Sequence, residues 1–265
     1  MKGEKIMKKV IFLVLMVLLC SPLATYAASI GDAETQGQFK LGIGIDQEYV
    51  FKRDLEFKSS SPTLFPGVGI TNIEVKKMYR TMIKGSFGLF DFLDVYVKLG
   101  AADYKFKSDI EYLGALVEDF KYNTKWAFAY GGGLKGAYAF KNGLLIGGDL
   151  QYLRHKNKIR GLYTDPATGA DILSITGKAT FQEWQVAPYV GIKKGNFTPY
   201  LGAKYSDVRI KAKHDEEGYT LKYKADDNVG AFLGISYKIM EKLKLNFEGR
   251  FIDETALSFG LTYKF

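Results

Sequence analysis

The chain has 265 residues, a formal net charge of +8 and a mean hydropathy of −0.09. Beyond its first 27 residues no stretch approaches the roughly 20 apolar residues that a membrane-spanning helix needs, which excludes a helical membrane protein. Without residues 1–27 the chain keeps 33 basic and 28 acidic residues, too mild an excess for a nucleic-acid-binding protein.

The N-terminus predicts a secretory signal peptide. Residues 1–9 carry four lysines, residues 10–19 are continuously apolar, and Thr25-Tyr26-Ala27 places small residues where a signal peptidase needs them. We predict cleavage after Ala27, a short periplasmic segment over residues 28–37, and one barrel domain over residues 38–265. The only cysteine, Cys20, lies within the signal, so the mature chain has no thiol chemistry.

Apolar residues recur at every second position in ten later segments, which predicts ten strands with one face toward an apolar medium and one toward a polar one. The segments are residues 38–51, 73–89, 94–106, 124–140, 144–152, 181–192, 197–205, 229–239, 243–251 and 257–265. Eight or twelve strands remain alternatives if a hairpin has been split or merged.

The predicted connections alternate in length. Short turns follow strands two, four, six and eight, including Asn142-Gly143, a dipeptide typical of tight hairpins. Long polar loops are predicted over residues 52–72, 107–122, 155–180 and 211–227. Aromatic residues concentrate near both ends of the segments, as expected for anchoring at two membrane surfaces.

The last strand supports the same interpretation. Its outward face carries an alternating apolar set that ends on the terminal aromatic residue: Leu257, Phe259, Leu261, Tyr263 and Phe265. This pattern resembles the closing strand of bacterial outer-membrane β-barrels. The chain is similar to the small-barrel group that includes opacity-type porins and the membrane part of outer-membrane-protein-A-like proteins.

The resemblance implies an all-β, closed, antiparallel up-and-down transmembrane barrel in the outer membrane of a Gram-negative cell. It implies that the terminal strand is an assembly signal read by the barrel-assembly machinery. Outer-membrane lipid and lipopolysaccharide are further implied partners, an extracellular ligand on the long loops remains open, and we expect no nucleic acid.

The polar face of the segments predicts the lining of the barrel. The predicted lumen-facing charges are Lys40, Asp46, Glu48, Lys76, Arg80, Lys84, Asp94, Lys98, Asp149, Glu183, Lys204, Lys244, Glu248 and Arg250. A barrel of about ten strands lies near the size that side chains fill. We therefore predict a largely plugged lumen in which Lys76, Arg80 and Lys84 face acids of the neighbouring strands. The alternative is a narrow porin-like channel for small solutes.

The sequence gives little support for catalysis. The two histidines, His155 and His214, are predicted at the rim or in loops. Omptin proteases pair aspartates with a His–Asp couple, but adjacent His214 and Asp215 point apart in an extended segment. We predict no catalytic, metal-binding or cofactor-binding residue and a structural or surface-interacting role, with an outer-membrane hydrolase as the minor alternative.

Overall fold

The computed structural model describes residues 29–64, 66–164, 171–215 and 218–265. The predicted signal peptide and its cleavage after Ala27 lie outside the described residues. Within these ranges no helix is long and apolar enough to cross a membrane. Twelve antiparallel strands make up one sheet: β1 (Leu41–Ser61), β2 (Val68–Phe90), β3 (Leu93–Tyr112), β4 (Ala115–Thr124), β5 (Ala127–Ala139), β6 (Leu144–Thr164), β7 (Asp171–Ile192), β8 (Phe197–His214), β9 (Thr220–Ala225), β10 (Val229–Met240), β11 (Leu243–Phe251) and β12 (Thr255–Lys264).

The sheet closes on itself through two rings of different size. Near the beginning of β1 and the end of β12, β5 bridges β3 to β6, and β10, β11 and β12 bridge β8 to β1, giving ten strands around the ring. At the other end β4 replaces β5, and β9 alone bridges β8 to β1, giving eight. We call these the lower barrel and the upper barrel. The predicted closed up-and-down barrel of about ten strands is confirmed.

The predicted long loops are wrong over most of their length. β1 continues to Ser61, β6 to Thr164 and β8 to His214, each well past the predicted end of its strand. Two more strands, β4 and β9, form within segments predicted as loops. The physical reason is that polar and apolar residues also alternate in these charged stretches, but here the polar residues face outward and the apolar residues face inward.

The side-chain polarity inverts between the two barrels. In the lower barrel the outward positions are apolar, as at Leu201 and Leu233, whereas inward positions include Lys204 and other charges. In the upper barrel the outward positions are charged, as at Lys158, and the inward ones are apolar, as at Ile159. An apolar outward face is stable against lipid, whereas a charged outward face is stable against water.

An apolar core fills the upper barrel. It includes Tyr104, Phe106, Tyr122, Phe181, Ile210 and Tyr223, all buried. The rings of Phe106 and Tyr122 stack with centroids 4.4 Å apart. This packing is mostly apolar, and Ser108, His155, Asn157 and His214 are buried polar exceptions.

β-Bulges lie where the polarity inverts. The register of β1 against β12 shifts between Val50 and Lys52, and that of β2 against β3 shifts between Val75 and Lys77. Each extra residue reverses the inward and outward positions that follow it along the strand. The bulge in β1 thereby turns Arg53 into the barrel, where it is 1% exposed.

Candidate functional site: the barrel interior

The structure buries twelve of the fourteen predicted lumen charges and exposes two. The buried ones are Asp46, Glu48, Arg80, Lys84, Asp94, Lys98, Asp149, Glu183, Lys204, Lys244, Glu248 and Arg250. Lys40 precedes β1 and is exposed at the lower end of the barrel. Lys76 lies in the β2 bulge, faces outward and pairs with Glu74 at 2.6 Å. For these two residues the predicted inward position is wrong.

A cluster of eight buried charges lies inside the barrel at the junction of the lower and upper barrels. It contains four cations and four anions: Arg53, Arg80, Lys204, Arg250, Glu48, Glu183, Asp253 and Glu254. Their side chains are at most 1% exposed in these pairs. Equal numbers of opposite charges make the cluster neutral, which permits its burial.

Arg53 and Arg80 share one acid in this charge cluster. The guanidinium of Arg53 contacts Glu183 and Glu254 at 3.1 Å each and Asp253 at 3.2 Å. Arg80 contacts Glu48 at 2.9 Å and Glu183 at 3.0 Å. The predicted pairing between β1 and β2 thus exists for Arg80 and Glu48, and it extends across the barrel to β7.

The sequence interpretation missed three members of the charge cluster. Arg53 fell in a predicted loop because the bulge that turns it inward has no clear sequence signal. Asp253 and Glu254 form the connection between β11 and β12, which was predicted to be an ordinary turn. That hairpin ends beneath β9, so both carboxylates point into the barrel, where their side chains are fully buried.

A second polar layer lies in the lower barrel. Lys98 pairs with Asp46 at 3.2 Å, and Tyr96 donates a hydrogen bond to Asp149 at 2.8 Å. The ammonium group of Lys84 lies 4.1 Å from the centroid of the Tyr96 ring. Opposite charges and an aromatic face therefore occupy this level.

The N-terminal segment, residues 29–36, enters the lower barrel. Ser29, Ile30, Asp32, Ala33 and Gln36 are all buried. The predicted periplasmic position of residues 28–37 is therefore wrong for the described part of that segment. We refer to residues 29–36 as the plug segment.

Backbone atoms of the plug segment are held by side chains of the barrel wall. The amide of Ser29 donates to Glu48 at 3.0 Å, and its carbonyl accepts a hydrogen bond from Lys98 at 3.1 Å. The carbonyl of Ala33 accepts from the Tyr189 hydroxyl at 2.8 Å. The plug segment thus satisfies inward polar groups that would otherwise need water.

Asp32 and Glu34 anchor the plug segment to lysines. Asp32 lies 3.1 Å from Lys244 and 3.2 Å from Lys264, and Glu34 pairs with Lys193 at 2.7 Å. Burial opposes ionisation of Asp32, but Lys264 and Lys244 outweigh it and hold its pKa well below its usual range. Burial likewise opposes ionisation of Glu34, but Lys244 and Lys193 lower its pKa. The docked segment therefore favours the charged carboxylates.

Both histidines lie inside the upper barrel, so their predicted position at the rim or in loops is wrong. The His155 ring stacks on Phe181 with centroids 4.7 Å apart, and its Nδ1 lies 2.6 Å from the Asn157 side-chain oxygen. His214 is 4% exposed, whereas Asp215 is exposed on the outer side. Among the described residues no group of His, Cys, Asp and Glu is arranged to hold a metal ion.

The predicted assembly signal lies on the outward face of β12. Leu257 is 47% exposed, Tyr263 is 39% exposed and Phe265 is 62% exposed, with Phe259 and Leu261 partly exposed between them. The intervening Ser258 and Thr262 are buried on the inward face. The alternation of the terminal strand is therefore present, and its recognition by the assembly machinery stays a prediction.

No protein-family model matches the chain, and no curated protein matches it. Among solved structures it is similar to the outer-membrane protease OmpT from Escherichia coli, with 12% identity and a TM-score of 0.48, over 88% of this chain and 100% of that one. It is also similar to the outer-membrane protein OprG from Pseudomonas aeruginosa, with 12% identity and a TM-score of 0.34, over 88% and 99%. A third similar structure is the translocator domain of the autotransporter NalP from Neisseria meningitidis, with 12% identity and a TM-score of 0.44, over 86% and 88%. The likeness to each of these structures is one of fold alone.

Proposed function

We propose that the chain is a non-enzymatic integral outer-membrane barrel whose interior is closed and whose upper barrel acts structurally or in surface interactions. The observation that carries the proposal is the occupied interior. The plug segment fills the lower barrel, the charge cluster follows it, and the apolar core fills the upper barrel. A solute would meet three closed levels in series.

The proposed membrane position follows from the outer surface. Apolar side chains of the lower barrel are exposed between two aromatic zones, one with Phe140 and Phe197 and one with Trp126 and Trp184. Exposed apolar surface of this extent is stable in lipid and not in water. Leu41 at the beginning of β1, Phe265 and the turns at Asp91, Gly143, Gly195 and Glu241 lie at the lower end, which we assign to the periplasm. The proposed partners are lipid, lipopolysaccharide and the barrel-assembly machinery.

The proposed surface role belongs to the upper barrel. Its strands continue beyond the lower barrel as a closed sheet with charged residues outward and apolar residues inward. A sheet of this kind presents a fixed surface, in contrast to long unstructured loops. An extracellular ligand would therefore meet side chains on strands rather than on loop tips.

Planar-bilayer recording tests the closed interior. The full mature chain and a variant lacking residues 29–36 are compared at equal density of folded barrels, verified by heat-modifiable migration on a gel. We expect no steady conductance from either, because the charge cluster and the upper core remain when the plug segment is removed.

A steady conductance from the full chain would overturn the closed interior. Conductance from the shortened variant alone would support the narrow-channel alternative, with the plug segment as its gate. An anion preference that falls in Arg80→Glu would then place the ion path beside the charge cluster.

The hydrolase alternative is tested with the two histidines. Both are buried among aromatic and apolar side chains, which is a poor position for a proton-transfer group that must reach a substrate. Purified protein in lipopolysaccharide-containing micelles should show no proteolysis or deacylation that His155→Ala or His214→Ala abolishes. A histidine-dependent activity would overturn the non-enzymatic proposal.

A further inference from the structure

The outer face of the upper barrel carries a row of three lysines on neighbouring strands. Lys158 of β6 lies directly opposite Lys178 of β7, and Lys178 lies directly opposite Lys213 of β8. All three are exposed on the outward side. Directly opposed residues have Cβ atoms about 5 Å apart, so the three ammonium groups repel one another. We call these residues the lysine row.

A second pair of like charges lies beside the lysine row. Lys211 of β8 is opposite Lys222 of β9, and both are exposed. Like charges directly opposite on a sheet are destabilising, and here they recur on four consecutive strands. The arrangement is unfavourable for the isolated protein, and a bound anion would relieve the repulsion.

The lysines on the opposite side of the barrel are neutralised within the protein. Lys52 pairs with Asp54 at 2.9 Å, Lys76 with Glu74 at 2.6 Å, and Lys107 also with Glu74 at 3.4 Å. Among the residues that the structure describes, no ion pair includes a member of the lysine row. Within the described residues, Lys52, Lys76 and Lys107 therefore have acidic partners, whereas the members of the lysine row have none.

A groove of about 390 Å³ lies beside Lys158 and Lys178 of the lysine row. Its charged lining residues are Lys125, Lys158, Arg160, Lys178 and Asp215. Arg160 has another interaction of its own, so among the described lining residues Lys125, Lys158 and Lys178 stand against the carboxylate of Asp215, which favours an anion in the groove. Its size suits a phosphorylated sugar rather than a single small ion.

The height of the lysine row also points to one ligand. Lys158 is six residues above Tyr152 on β6, and Lys178 is six residues above Trp184 on β7. Six residues span about 20 Å of strand, or about 15 Å of height for a strand tilted by about 40°. Tyr and Trp mark the membrane surface, so the row lies above the lipid core, at the level of an extended headgroup.

We propose that the lysine row binds phosphate groups on the saccharide headgroup of an outer-leaflet glycolipid of the lipopolysaccharide type. This proposal rests on the proposed outer-membrane position. It adds a defined site, made by Lys158, Lys178 and Lys213, to the general contact with lipid. The bound phosphates replace the repulsion between the lysines with charge-assisted hydrogen bonds.

Binding is measured with the full mature chain in detergent, titrated with purified lipopolysaccharide. The triple variant Lys158→Gln/Lys178→Gln/Lys213→Gln should bind at least about tenfold more weakly than the wild type. Its matched control, Lys52→Gln/Lys76→Gln/Lys107→Gln, loses the same charge from lysines that have acidic partners, and it should bind within about twofold of the wild type. Equal weakening of both variants would mean that only net charge matters and would overturn the site.

Two other ligands separate the possible sources of the phosphate. Enzymatically dephosphorylated lipopolysaccharide should bind the wild type about as weakly as intact lipopolysaccharide binds the triple variant. Inorganic phosphate alone should not compete at concentrations near that of the lipid. Effective competition would assign the groove to free phosphate and overturn the glycolipid.

Thermal unfolding provides a second measurement that needs no comparison of affinities. Without lipopolysaccharide, Lys178→Gln removes the central charge of the row and should raise the melting temperature. With saturating lipopolysaccharide, the same variant should melt below the wild type. A melting temperature that changes in the same direction in both conditions would contradict the proposal. Loss of heat-modifiable migration in the wild type would instead contradict the proposed membrane barrel.

Discussion

Replacing Lys204 by Met should strongly destabilise the barrel, because it leaves the charge cluster with one uncompensated anion. The Lys204 ammonium lies 2.9 Å from Asp253 and also pairs with Glu254, and all three side chains are fully buried. Breaking a buried ion pair on one side costs about 3–5 kcal/mol. We expect about 3 kcal/mol here, because arginines of the cluster still contact both acids.

The assay is urea unfolding in detergent, followed by tryptophan fluorescence. With an m-value of about 3 kcal/mol/M, a loss of about 3 kcal/mol lowers the midpoint by about 1 M. The matched control is Lys52→Met, whose pair with Asp54 is more than half exposed and should change the midpoint much less.

A double variant tests whether charge balance is the cause. Adding Asp253→Asn to Lys204→Met restores neutrality, so it should recover at least half of the lost stability. Two outcomes would refute the reasoning: a Lys204→Met midpoint equal to that of the wild type, or a double variant whose loss is the sum of the two single losses.

Three further perturbations address other levels of the molecule. Deleting Phe265 should reduce the heat-modifiable barrel in the membrane fraction, and a wild-type yield would contradict its role in assembly. Phe106→Ala removes a ring from the apolar core of the upper barrel and should lower the free energy of unfolding by about 3–5 kcal/mol. Amide hydrogen exchange should become faster in the upper barrel and stay slow in the lower barrel. Equally faster exchange in both barrels would contradict the division into two distinct levels. Acidification should release the plug segment, because the lowered pKa values of Asp32 and Glu34 make a stabilising contribution at neutral pH that is lost as pH falls through them. Protease access to the segment measures its release, and unchanged access until the whole barrel unfolds would contradict the anchoring.

The lower barrel was predictable because lipid imposes a strict rule on each strand. The terminal strand illustrates this, since Leu257 is exposed, Ser258 is buried and the alternation continues to Tyr263. An outward polar residue has no favourable contact in lipid, so few exceptions survive. Each pair of strands with a short turn was therefore recognisable from its period of two.

The upper barrel was not predicted because its alternation has the opposite polarity. Residues 156–160 alternate between exposed Lys156, Lys158 and Arg160 and buried Asn157 and Ile159. A period of two was present, but the dense charge was interpreted as a solvated loop. A search for polar and apolar residues at alternate positions would have found these strands, provided that it did not require the apolar residues to face outward.

The interior site was predicted in part, and the missed residues have local causes. Taking every second residue of a strand as inward-facing identified Arg80 and Glu183, which lie on regular stretches of strand. It failed for Arg53 and Lys76, because a bulge adds one residue and exchanges the two faces. It also missed the plug segment, whose position depends on hydrogen bonds and ion pairs with eight strands.

The medium proposed around each level supports the proposal of a closed interior. In the proposed position the lower barrel is surrounded by lipid, so its outward apolar surface is stabilised there and its interior is free to be polar. The upper barrel is surrounded by water, so its stability depends on apolar side chains packed inward, as Phe106 and Tyr122 are. A water-filled passage through the upper barrel would remove the core that holds its eight strands together. Closure at that level therefore follows from the requirement that a strand-built extension remain folded outside the membrane.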